Sequence, residues 1–312
     1  MPQRIEVFEV GPRDGFQSVK TDCSLISTQQ KLEIIDQMIN AGIRHIEYTS
    51  FVSPKAIPQL ADAKELTQVV LNRYPEVDLF ALVPNLRGAS TAYELGLRKV
   101  GYVVSLSVSH NKANINRSHE QSLQAYREIR ENYPDLEIIV DLATAFGCPF
   151  EGKYENPVNA VAFLKDYIDA GMKTCCLCDT IGIADPQQTR HLIAALKNAY
   201  PNLELMVHFH DTRGLGMVNT LTAIDMGVYN IQSALGGLGG CPFAPGASGN
   251  LSTEDLIWML NEMGYETGIN FSRTLVAAKS QKSTISGQYS GHHVCIEQET
   301  PCKERETYHS KP

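Results

Sequence analysis

Hydrophobic residues follow two alternating periods along most of the chain. Eight short apolar runs are typical of buried strands, and the segments between them repeat apolar residues every three or four positions, as helices do. In residues 29–40, for example, Leu32, Ile35 and Met38 recur at that spacing. The predicted strands are residues 5–10, 45–51, 78–83, 100–108, 136–145, 174–180, 203–209 and 230–235, and the predicted helices include 29–40, 61–73, 122–130, 158–170, 187–199, 218–226 and 253–263.

The alternation of strand and helix predicts parallel strands joined by right-handed crossovers. Eight such units in about 260 residues match the size of a (β/α)₈ TIM barrel, which is an α/β fold. An open doubly wound sheet is the alternative, but no G-x-G-x-x-G follows the first strand. We therefore expect a TIM-barrel catalytic domain over residues 1–265. Residues 266–312 are polar and predict a C-terminal extension with one helix and an irregular tail.

The net charge of the chain argues against nucleic-acid-binding and membrane-binding functions. The 312 residues include 27 Lys and Arg against 35 Asp and Glu, which gives a net charge of −8. An acidic chain has no general attraction to nucleic-acid backbones or anionic membranes. No apolar run approaches the roughly 20 residues of a membrane span, and the N-terminus lacks a signal-peptide pattern. We expect a cytoplasmic protein that binds neither nucleic acid nor membranes.

Three of the eight cysteines cluster in one apolar run. Cys175, Cys176 and Cys178 lie in the sequence KTCCLCDTIGIA, with no second Cys or His pair at zinc-finger spacing. Cysteine behaves as a small apolar residue when buried. The run therefore favours packing within a strand, and a thiolate metal site is the alternative.

Polar residues concentrate where the predicted strands end. In a TIM barrel, catalytic residues come from the C-terminal ends of the strands and from the loops after them. The polar and thiol residues found at these positions are Arg13, Asp14, Glu47, Asp141, Asp179, Thr180, His208, His210, Asp211, Cys241 and Asn250. We expect the active site among them.

The pair His208-x-His210 is the sharpest local motif. Residues i and i+2 of a strand point to the same face, so both imidazoles enter the barrel mouth together. With Asp14 at another strand end, the set predicts a divalent-metal site. Imidazole, carboxylate and amide ligands suit Mg²⁺ or Mn²⁺, and zinc remains chemically open. Two histidines bonded only to protein neighbours are the alternative.

The sequence GPRDG closes the first strand with a sharp turn. Such a turn can present Asp14 to a metal and Arg13 to a developing oxyanion. A surface turn holding an Arg–Asp ion pair is the alternative. Glu47 lies in an apolar strand and needs a partner, and Arg13 on the neighbouring strand is the natural one.

A glycine-rich loop follows the eighth strand. Four glycines in GGLGG precede Cys241, which predicts a mobile lid that brings a thiol over the substrate. Cys241 could then donate a proton or attack as a thiolate. Further on, Asn250 either reaches back to the metal or belongs to the cap of the next helix, in competition with Thr253. Asp179 is a second candidate base, unless it bonds loop amides.

Five motifs together resemble the hydroxymethylglutaryl-CoA lyases of the DRE-TIM metallolyase family. They are GPRDGFQ, IEYTSFVSPKAIPQLADA, CDTIGIADP, HFHDTRG and GGLGGCPFAPGASGNLSTEDL, and they run in order from about residue 5 to residue 265. The motif with the cysteine is specific to the lyase branch. The metal residues are shared with Claisen-type synthases.

The resemblance implies a role for each matching residue. The metal ligands would be Asp14, His208, His210 and Asn250, with Mg²⁺ or Mn²⁺ as the ion. Arg13, supported by Glu47, would stabilise the enolate, and Cys241 would donate the proton. Asp179 and His208 would be candidates for the base. Gln17 and Asn114 would lie near the substrate or CoA.

The implied reaction is a retro-Claisen cleavage of 3-hydroxy-3-methylglutaryl-CoA, or a close 3-hydroxyacyl-CoA, into acetyl-CoA and a keto acid such as acetoacetate. Three alternatives are a paralogous lyase for a substrate such as citramalyl-CoA, a Claisen-type synthase on the same barrel, and a non-catalytic barrel. The run SVSHNKANIN departs from the Ser-Glu-x-Phe stretch of many lyases, which bears on the acyl group. The expected partner is an acyl-CoA substrate, with a homodimer by family analogy.

Overall fold

The computed structural model describes residues 3–21, 25–154, 156, 158–240 and 249–296. Eight strands pair in parallel, each with its neighbour in sequence, and β8 pairs with β1 to close the barrel. The predicted TIM barrel is confirmed. The barrel strands are β1 (Glu6–Glu9), β2 (His45–Ser50), β3 (Asp78–Leu82), β4 (Lys99–Ser105), β5 (Glu137–Ala143), β6 (Thr174–Asp179), β7 (Glu204–Phe209) and β8 (Asn230–Ser233), and Gly147–Cys148 pairs with Gly152–Lys153 in a separate antiparallel sheet.

Ten α-helices occur in the described part of the chain, and most of them cover the outside of the barrel. They are α1 (Thr28–Asn40), α2 (Ala63–Arg73), α3 (Leu86–Glu94), α4 (Val108–Ile115), α5 (His119–Asn132), α6 (Val158–Asp169), α7 (Pro186–Ala199), α8 (Gly216–Asp225), α9 (Thr253–Glu262) and α10 (Phe271–Thr284). None of the described helices is both long enough and apolar enough to cross a membrane.

The fourth unit differs from its predicted boundaries. The apolar alternation predicts a strand over 100–108, but β4 ends at Ser105. The Ser107 side chain accepts a hydrogen bond from the backbone N–H of His110 at 3.0 Å and caps α4. Capping by a serine hydroxyl satisfies a helix N–H that would otherwise lack a partner, so the chain turns into a helix two residues after the strand.

The barrel interior is filled at one end and open at the other. Six side chains form a separate apolar cluster inside the barrel, namely Phe8, Phe80, Ile139, Cys176, Cys178 and Met206. The larger core lies between the strands and the helices and includes Cys175. The three clustered cysteines are therefore buried in a strand, with Cys175 facing the helices and the other two facing inward. This filling confines any ligand to the C-terminal end of the strands.

The C-terminal extension packs onto the barrel. Helix α10 contacts α1 and α9, and Gln281 donates a hydrogen bond to the Leu235 carbonyl at 2.9 Å. Further along, the Ser290 hydroxyl donates to the Asn250 carbonyl at 2.8 Å. The extension therefore supports the segment that follows β8, at the C-terminal end of the barrel.

Candidate active site

A buried carboxylate fixes the turn after β1. The Glu9 side chain is fully buried and accepts the backbone N–H groups of Gly11 at 2.8 Å and Leu235 at 2.9 Å, and the Thr253 hydroxyl at 2.6 Å. A Cβ at Gly11 would lie 2.6 Å from the Glu9 Oε1 atom, so this position requires glycine. The π-helical turn Gly11–Gly15 that follows directs Arg13 and Asp14 to the cavity.

We expect Glu9→Gln to change the pH dependence of stability. Burial raises the pKa of Glu9 from 4.5 to about 7, so the folded protein binds this proton more tightly than the unfolded chain. The stabilisation is complete below about pH 4.5 and is lost as pH rises through about 7, a loss on the order of 3 kcal/mol. Glutamine does not titrate. Urea unfolding should therefore show the variant gaining stability relative to wild type from about pH 5 to pH 9; parallel pH profiles would contradict this.

Arg13 lies between two carboxylates inside the barrel mouth. Its Nε and Nη2 atoms both lie 2.7 Å from Glu47 Oε2, and its Nη1 atom lies 2.6 Å from Asp14 Oδ1. Arg13 and Glu47 are buried. This arrangement fixes the guanidinium in one orientation and excludes the surface-turn alternative for GPRDG. The predicted Arg13–Glu47 pairing is present.

Three predicted metal ligands converge beside Arg13. Donor atoms of Asp14, His208 and His210 lie within 4.8 Å of one another, and the two Nε2 atoms of the histidines are 3.1 Å apart. The Nδ1 atom of His208 hydrogen bonds to Gln232 Oε1 at 2.9 Å, on the neighbouring strand β8. An amide oxygen only accepts, so His208 carries its proton on Nδ1 and presents the lone pair of Nε2.

The electrostatics of these residues suit a cation. Burial lowers the pKa of His208, and it lowers the pKa of His210 to about 4, so both imidazoles are neutral near pH 7. For Asp14, burial alone would raise the pKa, but the charge of Arg13 lowers it to about 2, helped by the two histidines, which become charged at the low pH where Asp14 titrates. Two neutral imidazoles and one ionised carboxylate are the protonation states in which these groups bind metals.

Asn250 completes the set. Its Nδ2 atom donates to Asp14 Oδ2 at 2.9 Å and to the Leu238 carbonyl at 3.0 Å. Its Oδ1 atom is buried and has no hydrogen-bond partner within the described residues. The cap of α9 is Ser252, so capping does not explain Asn250. A buried amide oxygen without a partner is costly, and a bound cation would satisfy it.

These residues border a cavity of about 250 Å³ at the C-terminal end of the strands. Gln17 lines it and donates to Asp14 Oδ1 at 2.7 Å, and Asn114 lines it from α4. The other lining residues include Ser50, Val52, Ile57, Leu82, Pro84, Val103, His110, Asp141, Cys178, Thr180, His208, His210, Gln232 and Gly240. The cavity combines an apolar wall with a charged end.

Asp179 does not line the cavity, contrary to the role as a base expected from the sequence. Cys178 and Thr180, on either side of it, form part of the cavity wall. The carboxylate oxygens of Asp179 accept the backbone N–H groups of Ile183 at 2.9 Å and Ala184 at 3.1 Å. Successive residues of a strand face opposite sides, which explains why Asp179 is not in the cavity wall with Cys178. Its two hydrogen bonds order the loop after β6. The alternative role in bonding loop amides is the one observed.

Cys241 lies outside the described residues. The residue before it, Gly240, is the last described residue of its range and lines the cavity. Gln232, which orients His208, is not among the site residues predicted from the sequence. The signal was available, because Gln232 is a polar residue in an apolar strand and pairs in register with His208.

Comparisons with known proteins agree with this geometry. The HMGL-like family model matches residues 4–280. The human mitochondrial hydroxymethylglutaryl-CoA lyase is 39% identical over 279 residues, covering 89% of this chain and 84% of that protein, and a Bacillus subtilis hydroxymethylglutaryl-CoA lyase is 38% identical over 281 residues, covering 89% and 92%.

Solved structures extend the likeness to the fold. A crystal structure of the Bacillus subtilis HMG-CoA lyase superposes with a TM-score of 0.88 at 36% identity, covering 94% of this chain and 97% of that one. An HMG-CoA lyase from Acinetobacter baumannii in complex with coenzyme A and 3-methylmalate gives 0.87 at 37% identity, covering 96% of both chains. The chain belongs to the HMGL-like family.

Proposed function

We propose that this protein is a divalent-metal-dependent lyase that cleaves 3-hydroxy-3-methylglutaryl-CoA into acetyl-CoA and acetoacetate. The observation that carries the proposal is the convergence of Asp14, His208 and His210 beside the fixed guanidinium of Arg13. Membership of the HMGL-like family and the likeness to hydroxymethylglutaryl-CoA lyases support it.

The proposed ligands are Asp14, His208, His210 and the Oδ1 atom of Asn250, for Mg²⁺ or Mn²⁺. The hard carboxylate and amide oxygens favour these ions over softer ones. A divalent cation held there would polarise the substrate hydroxyl and ease its deprotonation. Gln17 positions the Asp14 carboxylate through their hydrogen bond.

The chain's own groups handle the proton and the charge. His208 cannot bind the cation through Nε2 and also accept the hydroxyl proton there, because its Nδ1 atom already carries a proton towards Gln232, so the hydroxyl proton leaves to water in the open cavity. When the bond between C2 and C3 breaks, its electron pair moves into the thioester as an enolate. Arg13 then stabilises the enolate oxygen. Its hydrogen bonds to Glu47 and Asp14 hold the guanidinium in its orientation before the charge forms. Cys241 donates the proton that converts the enolate to acetyl-CoA.

The CoA part of the substrate needs space outside the cavity. A groove of about 680 Å³ runs between the segments after β2 and β3 and shares Val52 and Pro84 with the cavity. Lys64 and Arg87 line this groove and offer cationic partners for phosphates. We assign the groove to CoA. An Acinetobacter baumannii neighbour with bound coenzyme A and 3-methylmalate supports an acyl-CoA substrate. A homodimeric state and a cytoplasmic location are also proposed.

Removing the metal should abolish activity reversibly. We expect protein dialysed against a chelator to produce no acetyl-CoA from 3-hydroxy-3-methylglutaryl-CoA, because no protein group replaces the charge that the cation supplies. Adding Mg²⁺ or Mn²⁺ should restore the rate in wild type. An Asn250→Ala variant should need more metal for half-maximal activity. Full activity in the chelator would contradict the proposal, and condensation of acetyl-CoA with a keto acid would favour a synthase.

A further inference from the structure

One buried carboxyl group in the cavity wall has no role in the steps above. Asp141, on β5, lines the cavity and is 5% exposed. The Gln232 side chain lies beside its carboxyl group. The Asp141 Oδ1 atom is buried and has no hydrogen-bond partner within the described residues. An unsatisfied buried carboxyl oxygen costs free energy unless a ligand or a proton meets it.

A second carboxyl group approaches Asp141 across a glycine. A Cβ at Gly101 of β4 would lie 2.9 Å from Glu47 Oε1 and 3.2 Å from Asp141 Oδ2, so both groups face this gap. The Arg13 guanidinium donates its hydrogen bonds to Glu47 and Asp14. Two carboxyl groups brought together away from water do not both ionise, and the one without a bonded cation keeps its proton.

The surroundings of Asp141 favour its neutral form. Burial raises the pKa of Asp141 most, and the charge of Glu47 raises it further. The charge of Arg13 lowers the pKa, but this effect is smaller. The charged and titratable groups around Asp141 are Glu47 from β2, Arg13 and Asp14 from the turn after β1, Cys176 and Cys178 from β6 and, through Gln232, His208 from β7.

We propose that Asp141 determines specificity by presenting a neutral carboxylic acid to the acyl part of the substrate, which selects acyl groups that end in a carboxylate. The inference rests on the proposed function for the identity of the acyl-CoA ligand. A hydrogen bond from a neutral acid to a carboxylate is charge-assisted and strong. An ionised Asp141 would repel the same group.

The test compares two ligands that differ only at the end of the acyl chain. Glutaryl-CoA ends in a carboxylate and pentanoyl-CoA in a methyl group, and neither has the 3-hydroxyl that cleavage requires. Their dissociation constants are measured by calorimetry on full-length, Mg²⁺-loaded protein. Asp141→Leu should weaken glutaryl-CoA binding by about 10- to 100-fold, the range for a lost hydrogen bond to a charged group, and leave pentanoyl-CoA within about threefold.

Asp141→Asn is the matched control, because its amide is neutral and can still donate. It should bind glutaryl-CoA within about threefold of wild type near pH 6.5. As pH rises above neutral, wild type should lose its preference for glutaryl-CoA, whereas Asp141→Asn should keep it. Equal weakening of both ligands in Asp141→Leu would indicate a packing role and overturn the proposal. So would identical pH profiles for Asp141→Asn and wild type, even if Asp141→Leu fails to fold.

Binding is independent of turnover, so the two proposals fail separately. If wild type prefers glutaryl-CoA through Asp141 but makes no acetyl-CoA from 3-hydroxy-3-methylglutaryl-CoA, the proposed reaction is wrong and the selectivity stands. If acetyl-CoA forms but Asp141→Leu keeps the full preference for glutaryl-CoA, the assignment of Asp141 is wrong and the reaction stands.

Discussion

Replacing Cys241 by Ala is expected to lower kcat by about 10²- to 10⁴-fold, which is the usual contribution of a general acid. The enolate formed by bond cleavage must receive a proton at carbon, and the thiol at the end of the glycine-rich loop is the proposed donor. Cys241 is not one of the proposed metal ligands, so the metal concentration for half-maximal activity should not change. Steady-state rates at saturating substrate measure the effect.

Cys295→Ala is the matched control for this experiment. Cys295 is an exposed thiol in the C-terminal extension, beside Lys282, and it is not in the cavity wall. Its replacement should leave kcat unchanged. If Cys241→Ala kept more than about a tenth of the wild-type kcat, the loss would lie below the range for a general acid, and the thiol would leave the mechanism. The metal site would be unaffected by that result.

Arg13→Lys is expected to lower kcat by about 10²- to 10³-fold, the cost of removing a fixed donor to a developing oxyanion. The guanidinium contacts Glu47 with two nitrogen atoms and Asp14 with the third. A lysine keeps the charge, but its single nitrogen cannot hold both carboxylates and face the substrate. The loss should appear mainly in kcat, because the enolate charge exists only after the bond begins to break.

Arg44→Lys is the control, because it makes the same substitution at an arginine that does not line the cavity. Arg44 is exposed and donates to the carbonyls of Ile39 and Ile43, so its replacement should leave kcat unchanged.

Removing the Arg13 charge altogether would leave Glu47 buried without its partner, which costs about 3–5 kcal/mol. An Arg13→Met/Glu47→Gln double variant avoids that charge. Arg13→Lys with wild-type kcat would remove Arg13 from charge stabilisation.

The periodicity of the sequence predicts the barrel well, because each barrel strand is an apolar run and the helices between repeat at three and four residues. It fails where a side chain redirects the backbone. The alternation over 100–108 continues past Ser105, yet the hydroxyl of Ser107 caps a helix that hydrophobic periodicity does not mark. The helix Leu86–Glu94, in the third of the eight predicted strand–helix units, is capped by Asn85 in the same way.

Convergence of His208, His210 and Asp14 could be predicted because two rules suffice: alternate residues share a face, and strand ends share an edge. The same alternation should have excluded Asp179, since Cys178 and Thr180 face the cavity on either side of it. The approach of Asp141 to Glu47 could not be predicted in this way. The approach is possible because Gly101, on β4, has no side chain to occupy the space that the two carboxyl groups face. It also depends on how deep each carboxyl group lies in the barrel.

We propose that this protein breaks a carbon–carbon bond to leave an enolate that a protein group protonates. Cleavage of 3-hydroxy-3-methylglutaryl-CoA with Mg²⁺ in D₂O tests it most directly, because a thiol exchanges its proton with the solvent and then delivers deuterium to carbon. Mass spectrometry of the products should show acetyl-CoA with one deuterium in its methyl group, together with acetoacetate. The absence of acetyl-CoA under these conditions would exclude the proposed cleavage, and acetyl-CoA without deuterium would exclude protonation of the enolate by an exchangeable group.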